Sequence, residues 1–151
     1  MPQQTTELRT ASFADLNART FHDLLKLRID VFVVEQNCPY PELDGRDVEP
    51  GTRHLWLSDG GAPLAYLRIL VDPNGDARIG RVVVAPTARG GGHAGRLMNA
   101  ALEVVGNRQC VLDAQSHLVA FYARHGFAVS GPEYVEDGIP HTPMRRSAID
   151  G

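Results

Sequence analysis

The chain has 151 residues, 43% of them apolar and 22% charged, a size and balance that suit one globular domain with a continuous core. A formal net charge of −3 and a single lysine, Lys26, leave no basic block with which to hold nucleic acid. Neither a secretory leader nor an apolar run of about 18 residues is visible, so the expectation is a cytoplasmic protein without membrane contact.

Residues 7–10 predict a first strand. Residues 12–15 then read as a capping signal for a helix from about residue 16 to 34. Its face of Phe21, Leu24, Leu25, Val31 and Phe32 is apolar apart from Arg28. Residues 35–53 form a long irregular segment with three prolines (Pro39, Pro41, Pro50) and five acids (Glu35, Glu42, Asp44, Asp47, Glu49). Loops of that length are often functional. Residues 54–58 and 63–71 read as strands joined by a turn at Asp59-Gly60-Gly61, and Asp72-Pro73-Asn74-Gly75-Asp76 turns into a third, giving an antiparallel meander.

That third strand, residues 79–84, ends in Val82, Val83 and Val84, and Pro86 takes the chain out of the sheet. Arg89, Gly90, Gly91, Gly92 and His93 follow, then a helix with an apolar stripe of Ala94, Leu97, Met98, Ala101, Leu102 and Val105. Consecutive glycines at a helix start favour unusual backbone angles and close approach, and the free N–H groups there favour an anion. The stretch therefore reads as a phosphate cradle. A Walker loop would need Lys and Ser or Thr where His93 and Ala94 stand, and a dinucleotide fingerprint belongs nearer the first strand.

A strand at 109–114, a helix at 116–125 stopped by Gly126, and a strand at 127–130 come next. A turn at Glu136-Asp137-Gly138 precedes a closing strand at 142–149. The pattern predicts an α+β fold occupying one domain, 1–151. Cys38 and Cys110 lack C-x-x-C spacing and suit reduced, structural thiols. No histidine or cysteine spacing suggests a metal.

Arg89, Gly92 and Ala94 match the Q/R-x-x-G-x-G/A signature of motif A in the GNAT acetyltransferase superfamily, and Phe121-Tyr122-Ala123-Arg124-His125-Gly126-Phe127 is similar to its F-Y-x-x-x-G-F segment. Residues 31–40 and 136–141 extend the likeness, so that nearly the whole chain resembles the ElaA-like branch. The resemblance implies a mixed, mostly antiparallel central sheet flanked by helices, with the motif strand splayed from the next to admit acetyl-CoA. The pyrophosphate would rest on Gly90, Gly91, Gly92, His93, Ala94 and Gly95, near Arg89, and the pantetheine arm along Val82, Val83 and Val84. Gly80 would permit a bulge there, or equally just relieve crowding in the strand. Gln115 stands where the family often has Asn, which makes it an altered cofactor contact.

The same resemblance implies Tyr122 as general acid to the coenzyme thiolate. Imidazoles titrate near neutrality and a partly buried glutamate can be raised toward it, so Glu35, His54, His117 and His141 are candidates for the base, with water as another. Glu35, Tyr40, Glu42, Asp44 and Asp47 would form an acidic rim for a cationic amine, whether small molecule or peptide. The activity implied is N-acetyl transfer to a primary amine by direct attack in a ternary complex. The other reading is a non-catalytic acyl-CoA-binding sensor or interaction module. Whether the chain is a monomer or a homodimer stays open.

Overall fold

In the computed structural model, which describes residues 6–149, the pleat of two strands explains why both faces of the sheet are covered. Strand β2 (Arg53–Ser58) sends Leu55 and Leu57 to one face and His54 and Trp56 to the other. The next strand, β3 (Pro63–Val71), sends Leu67 and Ile69 to the first face and Tyr66 and Arg68 to the second. An amphipathic helix α2 (His93–Val105) packs Leu97, Met98, Ala101 and Val105 on the first. Helix α1 (Ala18–Ile29) packs Leu24 and Leu27 on the second, beside Trp56, Tyr66 and Val83.

The remaining strands are β1 (Glu7–Ala11), β4 (Ala77–Val84), β5 (Cys110–Gln115), β6 (Ala128–Val129), β7 (Tyr134–Glu136) and β8 (Ile139–Arg146). They form one sheet in the order β1-β2-β3-β4-β5-β8-β6, with β7 also paired to β8. Every pairing is antiparallel except that of β4 with β5, which is parallel and confined to Ala77 with Cys110 and Arg78 with Val111. Beyond those two pairs the strands part. The splayed, mostly antiparallel α+β sheet expected from the sequence is the one observed.

The bulge expected near Gly80 is present, although its strained residue is a different one. Tyr66 pairs with Val83 and Arg68 with Gly80, so Leu67 of β3 faces both Arg81 and Val82 of β4. Arg81 takes the left-handed conformation, at φ 55°. A non-glycine residue holds that conformation only when its surroundings fix it.

The first helix differs from expectation at both ends. Residues 13–15 make a 3₁₀ turn, and Asn17 is the cap, its Oδ1 accepting from the Thr20 amide at 2.7 Å. Asn17→Ala is expected to cost about 1 kcal/mol, read as a lower urea midpoint at unchanged slope. At the other end the helix widens into a π-helix, Asp30–Glu35, with Gln36 N–H donating to the Val31 carbonyl at 3.0 Å. Val31, Phe32, Glu35 and Gln36 of this segment line the opening beside β4.

The predicted helix at 116–125 is a 3₁₀ turn (Ser116–Leu118) continued by helix α3 (Val119–Ala123). The closing strand starts earlier than predicted, at Ile139. Asp137 and Gly138 both have positive φ, at 51° and 77°, which is the two-residue hairpin turn that pairs Glu136 directly with Ile139.

Candidate active site

Where β4 and β5 part, a cleft of about 1040 Å³ opens between the π-helix, the glycine turn, α3 and the β7–β8 hairpin. At one end stands the glycine turn. Gly90 and Gly92 have φ of 86° and 78°, and a Cβ on either would meet open space, so their angles rather than crowding require glycine. Gly92 is the N-cap of α2, and the first helical bond runs from Arg96 N–H to its carbonyl at 3.1 Å. The amides of His93, Ala94 and Gly95 thus precede the first intrahelical donor and are free for an anion. Space, angles and donors all fit the diphosphate of an acyl coenzyme. His93 folds back, its Nε2 lying 3.1 Å from where a Gly91 Cβ would be.

Arg89 meets Glu35 across this end. Its Nη1 donates to Oε2 at 2.7 Å and its Nη2 to Oε1 at 2.5 Å. That guanidinium holds the Glu35 carboxyl below its usual range. The expectation of a glutamate raised toward neutrality is therefore reversed here, because a cation stabilises the charged form. Glu35 in this pairing is a poor base.

Farther in, Val82 and Val84 line the cleft, and Val83 also joins the core on the α1 face. Tyr122 reaches the cleft from α3, wedged between Phe121 and Phe127. It is 7% exposed, and burial pushes its phenol up to about 12. Its hydroxyl makes no hydrogen bond among the described residues. Gln115, at the end of β5, donates to Gln36 Oε1 at 3.3 Å. His117 and His141 also line the cleft. Because a carbonyl can only accept, His141 Nδ1 donates to the Ile139 carbonyl at 2.8 Å, leaving Nε2 free, while its ring stacks on Tyr134.

His54 does not belong to the site. It is fully buried on the α1 face, where its Nε2 donates to the Asp47 carbonyl at 3.0 Å and its Nδ1 therefore accepts from Tyr66 Oη at 2.6 Å. Burial lowers its basicity.

Nor is the acidic loop the open rim that the sequence suggested. Glu42 and Asp47 are buried against the sheet: Arg28 Nε donates to Glu42 at 2.6 Å, and Arg28 Nη1 to Asp47 at 2.9 Å. Arg68 joins Asp47 at 3.0 Å and pairs with Asp44. Tyr40 donates to Glu42, and Arg81 Nε lies 3.0 Å from the same carboxylate. Three acids thus neutralise three arginines, and Glu42 anchors the left-handed residue of the β4 bulge. The carboxylates that face the cleft without an ion pair among the described residues are Glu136 and Asp137, on the hairpin. The turn was legible in the sequence; its position over the cleft was not.

Burial alone would raise the Asp47 and Asp44 carboxyls, but the arginines outweigh it and both are lowered from 3.8. Groups lowered on folding contribute stability above their unfolded value and lose it as pH falls. His54, lowered by burial from 6.5, follows the same rule, so urea midpoints are expected to begin to fall below about pH 6.5 and to fall more steeply below about pH 4 as the two carboxyls join it.

Of the cysteines, Cys110 is fully buried in the core under α2, and burial pushes its thiol up to about 11, which suits packing and not nucleophilic work. Cys38 lines the cleft and its Sγ donates to the Asp137 carbonyl at 3.3 Å, tying the loop to the hairpin. Among the described residues no group of three or more His, Cys, Asp or Glu is arranged to hold a metal ion, and no helix is long and apolar enough to cross a membrane.

A mostly antiparallel sheet, opened between two parallel strands over a glycine-capped helix, defines the acyl-CoA N-acyltransferase class. The acetyltransferase (GNAT) domain family matches residues 23–148, and the chain belongs to that family. A UPF0039 protein of Mycobacterium tuberculosis is 51% identical over 146 residues, covering 94% of both chains. Escherichia coli ElaA is 40% identical over 144 residues, covering 90% of this chain and 93% of its own. The ElaA crystal structure superposes with a TM-score of 0.90 over 95% of this chain and 100% of that one, at 36% identity. An acyl-CoA N-acyltransferase from Pseudomonas aeruginosa gives the same TM-score and the same coverage, at 43% identity. Within that family its fold and sequence are similar to those of the ElaA-like branch.

Proposed function

We propose that residues 1–151 form a single N-acetyltransferase domain that moves an acetyl group from acetyl-CoA to a primary amine by direct attack in a ternary complex. The observation that carries this reading is the convergence, in one cleft, of left-handed glycines before a helix, a bulged strand edge parted from its neighbour, and a buried tyrosine with an uncommitted hydroxyl.

In this reading the amides around Gly90, Gly91, Gly92, Ala94 and Gly95 and the guanidinium of Arg89 bind the diphosphate. His93 flanks them. The parted edge of Val82, Val83 and Val84 offers backbone groups to the pantetheine amides, and an N–H there polarises the thioester carbonyl. Gln115 holds the inner end of the arm. The amine nitrogen bonds to the acyl carbon, the C–S bond breaks, and Tyr122 Oη gives a proton to the departing sulfur. A free thiol titrates near 8.5, well below a phenol pushed up to about 12. The same apolar surroundings raise a thiolate beside the ring, which narrows the gap, and they keep the phenol protonated as a donor at neutral pH. The amine's proton leaves through His117 or His141, or through water, and Glu35 serves as base only once free of Arg89.

Release of coenzyme A thiol from acetyl-CoA over a panel of primary amines tests the proposal. Amine-dependent release supports it. Binding of acetyl-CoA without release over the whole panel would leave a non-catalytic acyl-CoA-binding module instead.

A further inference from the structure

Five carboxylates line the cleft: Glu35, Asp44, Asp113, Glu136 and Asp137. Asp44 is held by Arg68, and Asp113 by Arg78 at 2.7 Å. Neither arginine lies on the glycine turn. Glu35 alone is paired to a cation that does, through both guanidinium nitrogens of the Arg89 fork. The carboxylate thus occupies two donors of the guanidinium that flanks the glycine turn, and it does so from another element, the end of the π-helix.

We propose that Glu35 holds the place of the coenzyme's diphosphate on Arg89 and, once displaced, becomes the carboxylate that receives the positively charged head of the acceptor. This rests on reading the cleft as an acyl-CoA site. A diphosphate carries more charge than one carboxylate and adds the free amides of the turn, so it wins the guanidinium. Both partners are about half exposed, with side-chain exposures of 46% and 40%, so the exchange costs little. Glu35 is then left uncompensated beside Gln36, in a cleft whose other carboxylates without an ion pair among the described residues are Glu136 and Asp137. In the free protein a cation meets two such charges; in the coenzyme complex it meets three. Coenzyme and acceptor are coupled through one side chain, and the acceptor is selected for positive charge.

Two titrations by calorimetry decide it. In the first, coenzyme A is added to wild type, Glu35→Gln, Arg89→Gln and the double variant. Glu35→Gln is expected to tighten binding about threefold, by removing the competitor, and to have no effect in the Arg89→Gln background. An equal gain in both backgrounds would mean general repulsion of phosphate and would overturn the exchange. In the second, spermidine is the cationic probe, added with and without saturating coenzyme A. Wild type is expected to bind it about fivefold more tightly when loaded, and Glu35→Gln is expected to lose that gain. Equal affinity in the two states, a gain that survives Glu35→Gln, or no spermidine binding to the loaded protein overturns the acceptor role. If wild type takes up no coenzyme A, the acyl-CoA reading itself fails; if it binds and the variants behave alike, only this inference does.

Discussion

Tyr122→Phe is expected to lower kcat about 100-fold while the KM for acetyl-CoA stays within about twofold. The ring would keep its packing against Phe121 and Phe127, and no hydrogen bond within the described protein is lost, since the hydroxyl makes none. Structural cost is therefore small, and the melting temperature should hardly move. Only an interaction made as sulfur departs is removed, which is the pattern of a kcat effect without a KM effect. With its phenol pushed up to about 12, Tyr122 also contributes no alkaline limb to the wild-type rate profile below about pH 10. Wild-type turnover in the Phe variant would remove Tyr122 from the chemistry and leave proton delivery to solvent.

The second large effect is on stability. Arg28 is fully buried and holds Glu42 and Asp47 together, so Arg28→Met leaves two carboxylates without their central cation. Breaking a buried pair from one side costs about 3 to 5 kcal/mol, and the lower end applies here because Arg68 and Arg81 remain. Arg28→Lys is expected to rescue little. One ammonium cannot span two carboxylates as the planar fork does. Denaturant titration at pH 7 gives the measurement, and a loss below about 1 kcal/mol would show that the network is not structural. The deficit should also shrink toward pH 4, where the stranded acids take up protons.

That network is also the part of the fold least legible in the sequence. Glu42 and Asp47 stand in a proline-rich segment that reads as a solvated loop, and nothing local says otherwise. The signals were elsewhere: Arg28 on an otherwise apolar helix face and Arg68 inside the apolar run Ala65-Tyr66-Leu67-Arg68-Ile69-Leu70. A lone arginine in each of two buried elements implies acids folded over it, but the identity of those acids depends on how the loop closes. His54 misled for the same reason. An imidazole two residues from Trp56 looks available until the pleat turns both to the covered face. The π-helix has no distinct sequence signal either, because its apolar residues fit an ordinary helix nearly as well.

What the sequence determined unaided was local. Three glycines before a stripe of period 3.6, a β-branched run ended by proline, and Asp137-Gly138 in a hairpin fix backbone angles within a few residues, and such angles depend on steric limits rather than on distant partners. Hence the glycine turn, the meander and the order of elements could be read directly. Tertiary structure decided which charges cancel. Arg28, Arg68 and Arg81 take the acids of one loop, Arg89 takes Glu35, and the hairpin acids are left facing the cleft. Coulomb interaction depends on separation in space and on burial, and neither is encoded at any single position of the chain.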